Sequence, residues 1–254
     1  RDDAGEQKAW DAIAFVSAAQ RAPYLEEFGL APAKTIVMHN GVSPAFADAP
    51  YVEPISPPVL FYTSTPFRGL DVLLMAFPDI RMATGATLKV FSSMAVYRQP
   101  DDAFFALYEQ ARSMDGVEYV GSLGQQQLAK ELAGAAALAH PSTFPECHSI
   151  AAIEAMALGA IVFTTDLGGQ RETTGDLALM IPAHGDKRDL AEQFACMVIS
   201  ALRNPAVTDE IARRERIQYV REHYLWPDRA KAWSDWLPTV VSAAGGTGID
   251  RPSR

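Results

Sequence analysis

Cysteine is scarce, with only Cys147 and Cys196 in 254 residues. Two thiols make neither a disulfide framework nor a zinc spacing, and they read as buried or free thiols of a reducing compartment. No apolar run approaches the ~18 residues of a transmembrane segment. The opening stretch, RDDAGEQKAW, has no signal-peptide core and no initiator methionine, so the chain is expected to start partway through a longer protein. Positive charge is in deficit: 22 Lys and Arg face 31 Asp and Glu, a net charge of −9. No Lys/Arg cluster offers the basic face of a nucleic-acid binder. An anionic ligand therefore has to find local cations and oriented amides. His39, His140, His148, His184 and His223 are too scattered to suggest a metal site.

Familiar loop signatures are missing too. No G-x-G-x-x-G opens the first strand, and no G-x-x-x-x-G-K-[ST] occurs, which weighs against standard dinucleotide oxidoreductases and P-loop NTPases. There is no G-x-S-x-G elbow and no H-E-x-x-H. Cys147 and His148 are adjacent, but sequence neighbours rarely present both side chains to one substrate, so a thiol nucleophile is disfavoured.

What is there is an alternation. With 48% hydrophobic residues, the chain holds one large domain or one domain plus part of another. Strands are predicted at 11–17, 34–42, 59–64, 87–93, 116–122, 137–142, 160–166 and 177–182. Helical patterns separate them at 18–29, 69–83, 101–113, 124–135, 148–159 and 169–175, and three more close the chain. Leu70, Leu73, Leu74, Phe77 and Ile80 share one face of the 69–83 helix. A connector at 43–58 carries five prolines and is the predicted hinge or boundary. Repeated β-then-α with continuous apolar strands predicts an α/β fold, a Rossmann-like parallel sheet with helices on both faces. Such sheets bind ligands at the carboxyl ends of their strands. The polar stretches YTSTPFRG, FSSM, VGSLG, HPSTFPECHS and TTDLGGQRE all fall there.

One loop stands out: HPSTFPECHSIAAIEAMALGA, with carboxylates at Glu146 and Glu154 directly after an apolar strand. The pattern P-S-x-x-x-E-x7-E-A-M-A-x-G, followed by a strand ending T-D-x-G-G-x-x-E, resembles the donor-binding domain of retaining glycosyltransferases of the GT-B fold, family four. The likeness keeps family order over about residues 10 to 240. FVSAAQRAPYLEEFGLAPAKTIVMHNGV is similar to the end of the acceptor domain and the hinge. FYTSTPFRGLDVLLMAFPDI is similar to the first donor-domain strand and helix, and YLWPDRAKAWSDWL to the terminal crossover helix.

The resemblance implies a division at 1–45 (end of the acceptor domain and hinge), 46–222 (donor domain), 223–244 (crossover helix) and 245–254, a flexible tail. It implies a nucleotide-sugar donor of UDP, GDP or ADP type, no essential metal and no further cofactor. Glu146 would face the donor sugar. The amides near Cys147, His148, Ser149 and Ile150 would open a helix beside the diphosphate, where free N–H groups and the dipole favour negative charge. Arg68 would supply a guanidinium to the phosphates. Ser64 and Thr65 would lie near the phosphates, and Val120, Ser122 and Leu123 near the base. Glu154 would accept both ribose hydroxyls. The acceptor is expected to be a glycan or lipid-linked chain made at the cytoplasmic face of a membrane, and the protein itself to be cytoplasmic, peripheral at the membrane's inner face. Most of the acceptor domain is expected to be missing from this chain.

The chain departs from the family pattern where E-G-F-G-L becomes Glu146-Cys147-His148-Ser149-Ile150. Glycine permits close backbone approach to phosphate, so Cys147 and Ser149 narrow the site or change the donor. Thr63, Ser64 and Thr65 stand where an arginine is usual. These changes keep a second reading open, a nucleotide-sugar-binding module that does not catalyse, and a weaker third, a nucleotide-sugar epimerase. Plainer readings compete at each position. Glu154 could be a solvated helix residue, Glu146 a helix cap, and Arg68 a partner of Asp71. Gly168 and Gly169 read as turn formers, and ARRERIQYVR as a solvated helix face.

Overall fold

The structure, a computed structural model, describes residues 10–183 and 185–245. Residues 246–254 of the tail predicted at 245–254, His184 and residues 1–9 lie outside the described residues. The elements in order are β1 (Ile13–Phe15), α1 (Ala18–Phe28), β2 (Thr35–Val37), α2 (Pro44–Ala47), β3 (Val59–Tyr62), α3 (Leu70–Thr84), β4 (Thr87–Val90), α4 (Phe105–Ser113) and β5 (Val117–Tyr119). There follow α5 (Gln125–Glu131), β6 (Ala137–His140), α6 (Ile150–Ala157), β7 (Ile161–Thr165), α7 (Gln170–Thr174), β8 (Ala178–Ile181), α8 (Lys187–Leu202), α9 (Pro205–Thr208), α10 (Glu210–His223) and α11 (Trp226–Gly245).

Six strands form a parallel sheet in the order β5-β4-β3-β6-β7-β8, and β1 and β2 pair in parallel apart from it. The chain runs outward from β3 to β5, then returns to the middle for β6. That reversal puts a topological switch point between β3 and β6, where the loops leaving both strands part and open a crevice.

Side-chain alternation along the strands feeds two cores. Leu60 and Tyr62 of β3 face α3 and α8, meeting Leu73, Phe77, Ile80, Phe194 and Val198. Phe61 points to the opposite layer with Phe46, Leu138, Ile153, Met156, Val162 and Val220. The apolar face predicted for α3 is buried throughout: Leu70, Leu73, Leu74, Phe77 and Ile80 are each almost fully covered. Each such side chain stabilises the fold by about 1.5–3 kcal/mol. Glycine at 85, with φ +72°, ends that helix in the left-handed region.

The proline-rich connector opens with an ordered turn. Ser43 caps α2 with Pro44 at its first position, and Phe46 is fully buried against the second core.

The reading of ARRERIQYVR as a solvated face is corrected. Arg213 and Arg216 of α10 are buried. Arg216 donates to the carbonyl of Gly159 at 3.0 Å and to that of Val207 at 3.1 Å, and Arg213 donates to the carbonyl of Leu158 at 3.4 Å. The end of α6 leaves carbonyls without helical partners, and α10, packed against it, supplies the donors. No helix among the described residues is long and apolar enough to cross a membrane.

Candidate functional site

A cleft of about 360 Å³ opens at the switch point. Its walls are the loops after β3, β4, β5 and β6 and the start of α6. Local hydrogen bonds hold these loops. The Tyr62 hydroxyl donates to the carbonyl of Thr65 at 2.7 Å, and the Thr165 hydroxyl to that of Ser142 at 2.6 Å. The Glu146 loop lies on the loop after β7: Glu146 and Gly168 form a parallel bridge, and the Gly169 amide donates to the Glu146 carbonyl at 2.5 Å.

The two glycines permit that approach. A Cβ on Gly168, whose φ is +69°, would lie 2.4 Å from the Glu146 carbonyl oxygen, and one on Gly169 would lie 2.1 Å from that of Cys147. Gly168→Ala combines a left-handed backbone with a backbone collision. It is expected to cost about 2–4 kcal/mol, measured by denaturant unfolding. A loss within about 0.5 kcal/mol, the range of an ordinary surface substitution, would show that the two loops separate freely.

Arg68 and Glu146 meet across the cleft. The guanidinium donates to Glu146 Oε2 at 2.5 Å and to the Tyr97 hydroxyl at 2.8 Å, and it lies 4.7 Å from the Phe144 ring centroid. Asp71 pairs instead with Lys187. Burial pushes the Glu146 carboxyl up, and the Arg68 charge opposes this. Glu146 Oε1 has no hydrogen-bond partner among the described residues. His140, the last residue of β6, is 1% exposed, and its Nε2 lies 4.0 Å from that oxygen. Burial, then the Arg68 charge, pushes its imidazole down to about 4, with the Arg68 backbone opposing more weakly, so it is neutral at pH 7.

Glu154 lies in the second turn of α6, 5% exposed, with no cation within ion-pairing distance among the described residues. Burial pushes its carboxyl up to about 7, against a hydrogen bond from Gln125. The helix cap is Ser149, whose hydroxyl accepts from the Ala152 amide at 3.4 Å. Glu146 is therefore free of capping duty.

His148 faces the cleft from the other side. Its ring stacks on His39 at 5.1 Å and meets the edge of Tyr224 at 5.3 Å. Burial, then the neighbouring His39, pushes it down to about 4. Behind it, Glu172 accepts from the Ala18 amide at 2.8 Å, the Ala19 amide at 3.0 Å and His39 Nε2 at 3.0 Å. Burial works against the Glu172 charge, yet these bonds hold its carboxyl below the usual range. Glu172 so satisfies the open amides of α1 and ties β2's exit to the six-stranded domain.

Among the predicted residues, Ser64, Thr65, Arg68, Ser122, Leu123, Glu146, His148, Ser149, Ile150 and Glu154 line the cleft. Val120 and Cys147 do not. The Val120 amide is spent on the Val90 carbonyl at 2.9 Å, its side chain packs on the second core, and Cys147 is exposed. His140, Tyr97 and Gln125 also line the cleft and were not singled out from sequence. His140 had one legible signal, its place at the carboxyl end of an apolar strand. No group of three or more His, Cys, Asp or Glu is placed to hold a metal ion among the described residues.

Comparison with known proteins gives the family and the fold. The family described as glycosyl transferases group 1 matches residues 57–204, more than half of the chain, and the chain belongs to that family. Its fold is that of GT-B glycosyltransferases. A glycosyltransferase from Rickettsia africae superposes with a TM-score of 0.75 at 14% identity, covering 93% of this chain and 67% of that one. A sucrose-phosphate synthase from Thermosynechococcus elongatus gives 0.69 at 21% identity, covering 94% and 61%. Anabaena HepE in complex with UDP-glucose gives 0.68 at 18% identity, covering 90% and 64%. The chain thus spans about two thirds of the length of these proteins. A search of curated proteins returns no match.

Proposed function

We propose that this chain is the donor-binding part of a glycosyltransferase that moves a hexosyl group from a nucleotide sugar to an acceptor with retention of configuration. One observation carries the reading. Buried polar atoms without partners ring the cleft: the hydroxyls of Thr63 and Thr65, Arg68 Nε, both His140 nitrogens, Glu146 Oε1 and His148 Nε2. Each costs about 1–3 kcal/mol unpaired, and a ligand rich in hydroxyls and phosphate oxygens offers partners to those it reaches.

In this reading the diphosphate lies between Arg68 and the first amides of α6, at Ile150 and Ala151 on the cleft wall. Positive charge and the helix dipole there stabilise the leaving group as the glycosidic bond breaks. Glu146 faces the sugar, Glu154 takes the ribose hydroxyls, and Ser122 and Leu123 border the base. The acceptor, a glycan or lipid-linked chain at the cytoplasmic face of a membrane, attacks from the side the diphosphate leaves. Neither glutamate is assigned as a nucleophile. The second reading, a binding module without catalysis, rests on Cys147 and Ser149 replacing the family's glycines.

The test is calorimetric titration with UDP, GDP, ADP and their sugar conjugates, alongside thermal unfolding. One nucleotide is expected to bind and, at 100 times its dissociation constant, to add about 2.7 kcal/mol to stability. Failure of all three to bind would overturn the donor-site reading. Binding without transfer or release of sugar, in a chain extended to the length of its relatives, would favour the binding module.

A further inference from the structure

His140 is a buried histidine beside the Arg68 backbone, which interacts only weakly with its ring. It ends an apolar strand, it is 1% exposed, and neither ring nitrogen makes a hydrogen bond of good geometry among the described residues. The edge of Tyr62 lies against its ring at 5.5 Å. A phenylalanine would fill the space without two unpaired nitrogens. The second unpaired group is Glu146 Oε1, since Oε2 is held by Arg68. His140 Nε2 and Glu146 Oε1 face each other at 4.0 Å, too far for a direct hydrogen bond. One oxygen about 2.9 Å from Nε2 and about 2.7 Å from Oε1 would join them, and because both atoms are covered by protein it enters by displacing part of that cover.

We propose that His140 and Glu146 together read hydroxyl groups of the donor's sugar, with His140 as a specificity-determining contact. This rests on the donor-site reading above. A carboxylate oxygen only accepts, so the group between them must donate. That excludes a phosphate oxygen, which only accepts and would face a like charge. A hydroxyl donates to Oε1 and still has lone pairs for an N–H of His140. The imidazole is neutral, so it carries one N–H and one lone pair. Either tautomer serves. With Nε2 protonated, the ring donates to the hydroxyl that Glu146 accepts. With Nδ1 protonated, Nε2 accepts from the neighbouring hydroxyl of a vicinal pair. Arg68 links the two ends of the ligand: the guanidinium proposed to hold the phosphates also fixes the carboxylate that meets the sugar.

His140→Phe keeps the ring and its packing against Tyr62 and removes both nitrogens. Titrate the native protein and this variant with the nucleoside diphosphate and with its sugar conjugate. The advantage of the conjugate over the diphosphate is expected to fall about tenfold in the variant, the effect of removing one hydrogen bond, while the diphosphate binds both alike. A second measurement needs no variant. Among donors lacking one sugar hydroxyl each, one or two are expected to bind the native protein about tenfold more weakly. Equal advantage in native and folded variant, or native binding indifferent to every missing hydroxyl, overturns the proposal. A native protein that binds no diphosphate overturns the donor site itself, and a diphosphate that binds while the sugar adds nothing overturns this inference alone.

Discussion

Arg68→Ala is expected to weaken binding of the nucleoside diphosphate at least about thirtyfold and to destabilise the unliganded protein more at pH 8 than at pH 5. The first effect follows from chemistry. A guanidinium offers two parallel N–H groups to a phosphate, and truncating one partner of such a pair costs about 2–5 kcal/mol. The second follows from Glu146, 6% exposed and held by Arg68 at 2.5 Å. Breaking a buried pair by removing one partner costs about 3–5 kcal/mol when the other charge stays. Here the stranded carboxyl has an escape, since burial already pushes it up and losing Arg68 pushes it further. A carboxyl raised in the folded state binds a proton the unfolded chain has lost. The protonated form's stability is fully present below the usual carboxylate range and is lost as pH rises through the raised value. The gap between native and variant therefore widens with pH, measured by urea unfolding at both values. A gap independent of pH would mean that Glu146 stays charged without its partner. Arg68→Lys should fall between, keeping the charge but losing the fork that holds Glu146 and Tyr97 together.

That pairing was not legible in the sequence, and the reason is physical. Arg68 and Glu146 are 78 positions apart, and they meet because β3 and β6 are neighbours in the sheet. Local pattern gives the face of α3 and the run of strands, since both depend on periods of two and 3.6 residues. It also gives the loop with Glu146 and Glu154, through the family's spacing. Pattern cannot say which loops touch. Arg68 therefore had Asp71 as its nearest alternative, a helical neighbour that in fact serves Lys187. The same limit hid Arg213 and Arg216. Their alternation with acids is the mark of a wet face, but α10 lies on the carbonyl end of α6, and carbonyls carry no sequence signature. His140 was hidden for a different reason: a lone histidine at a strand's end looks like a core residue until its nitrogens prove unpaired. Val120 shows the converse. It sits near the end of the predicted 116–122 strand, at the right sheet edge, but its amide is used by Val90 and its side chain packs on the second core.

Glu154→Gln is expected to leave the protein about equally stable at pH 5 and more stable than the native chain at pH 8. Burial holds the native carboxyl at about 7 against an ordinary 4.5. The folded state thus keeps a proton that the unfolded chain gives up from 4.5 upward. The resulting stability is fully present below 4.5 and drains away as pH rises through about 7. At about 1.36 kcal/mol per unit, the drain is on the order of 3 kcal/mol. Glutamine has no charge to bury, so its stability should stay flat across this range. The ligand reverses the preference. A ribose diol donates to both carboxylate oxygens and favours the ionised form, so binding of a nucleotide sugar, whose diphosphate lacks the terminal ionisation near 6 of a free diphosphate, should release close to one proton at pH 6. Native affinity should then rise between pH 6 and 8, while the glutamine variant binds more weakly and without that slope. Calorimetry in two buffers of different ionisation enthalpy counts the protons directly. A native protein whose stability ignores pH over this range would mean that Glu154 titrates normally. Proton release that persists in Glu154→Gln would assign it to Glu146 instead. The pH at which the native slope ends is the carboxyl's own pKa, so the same data measure how far the empty cleft excludes water from α6.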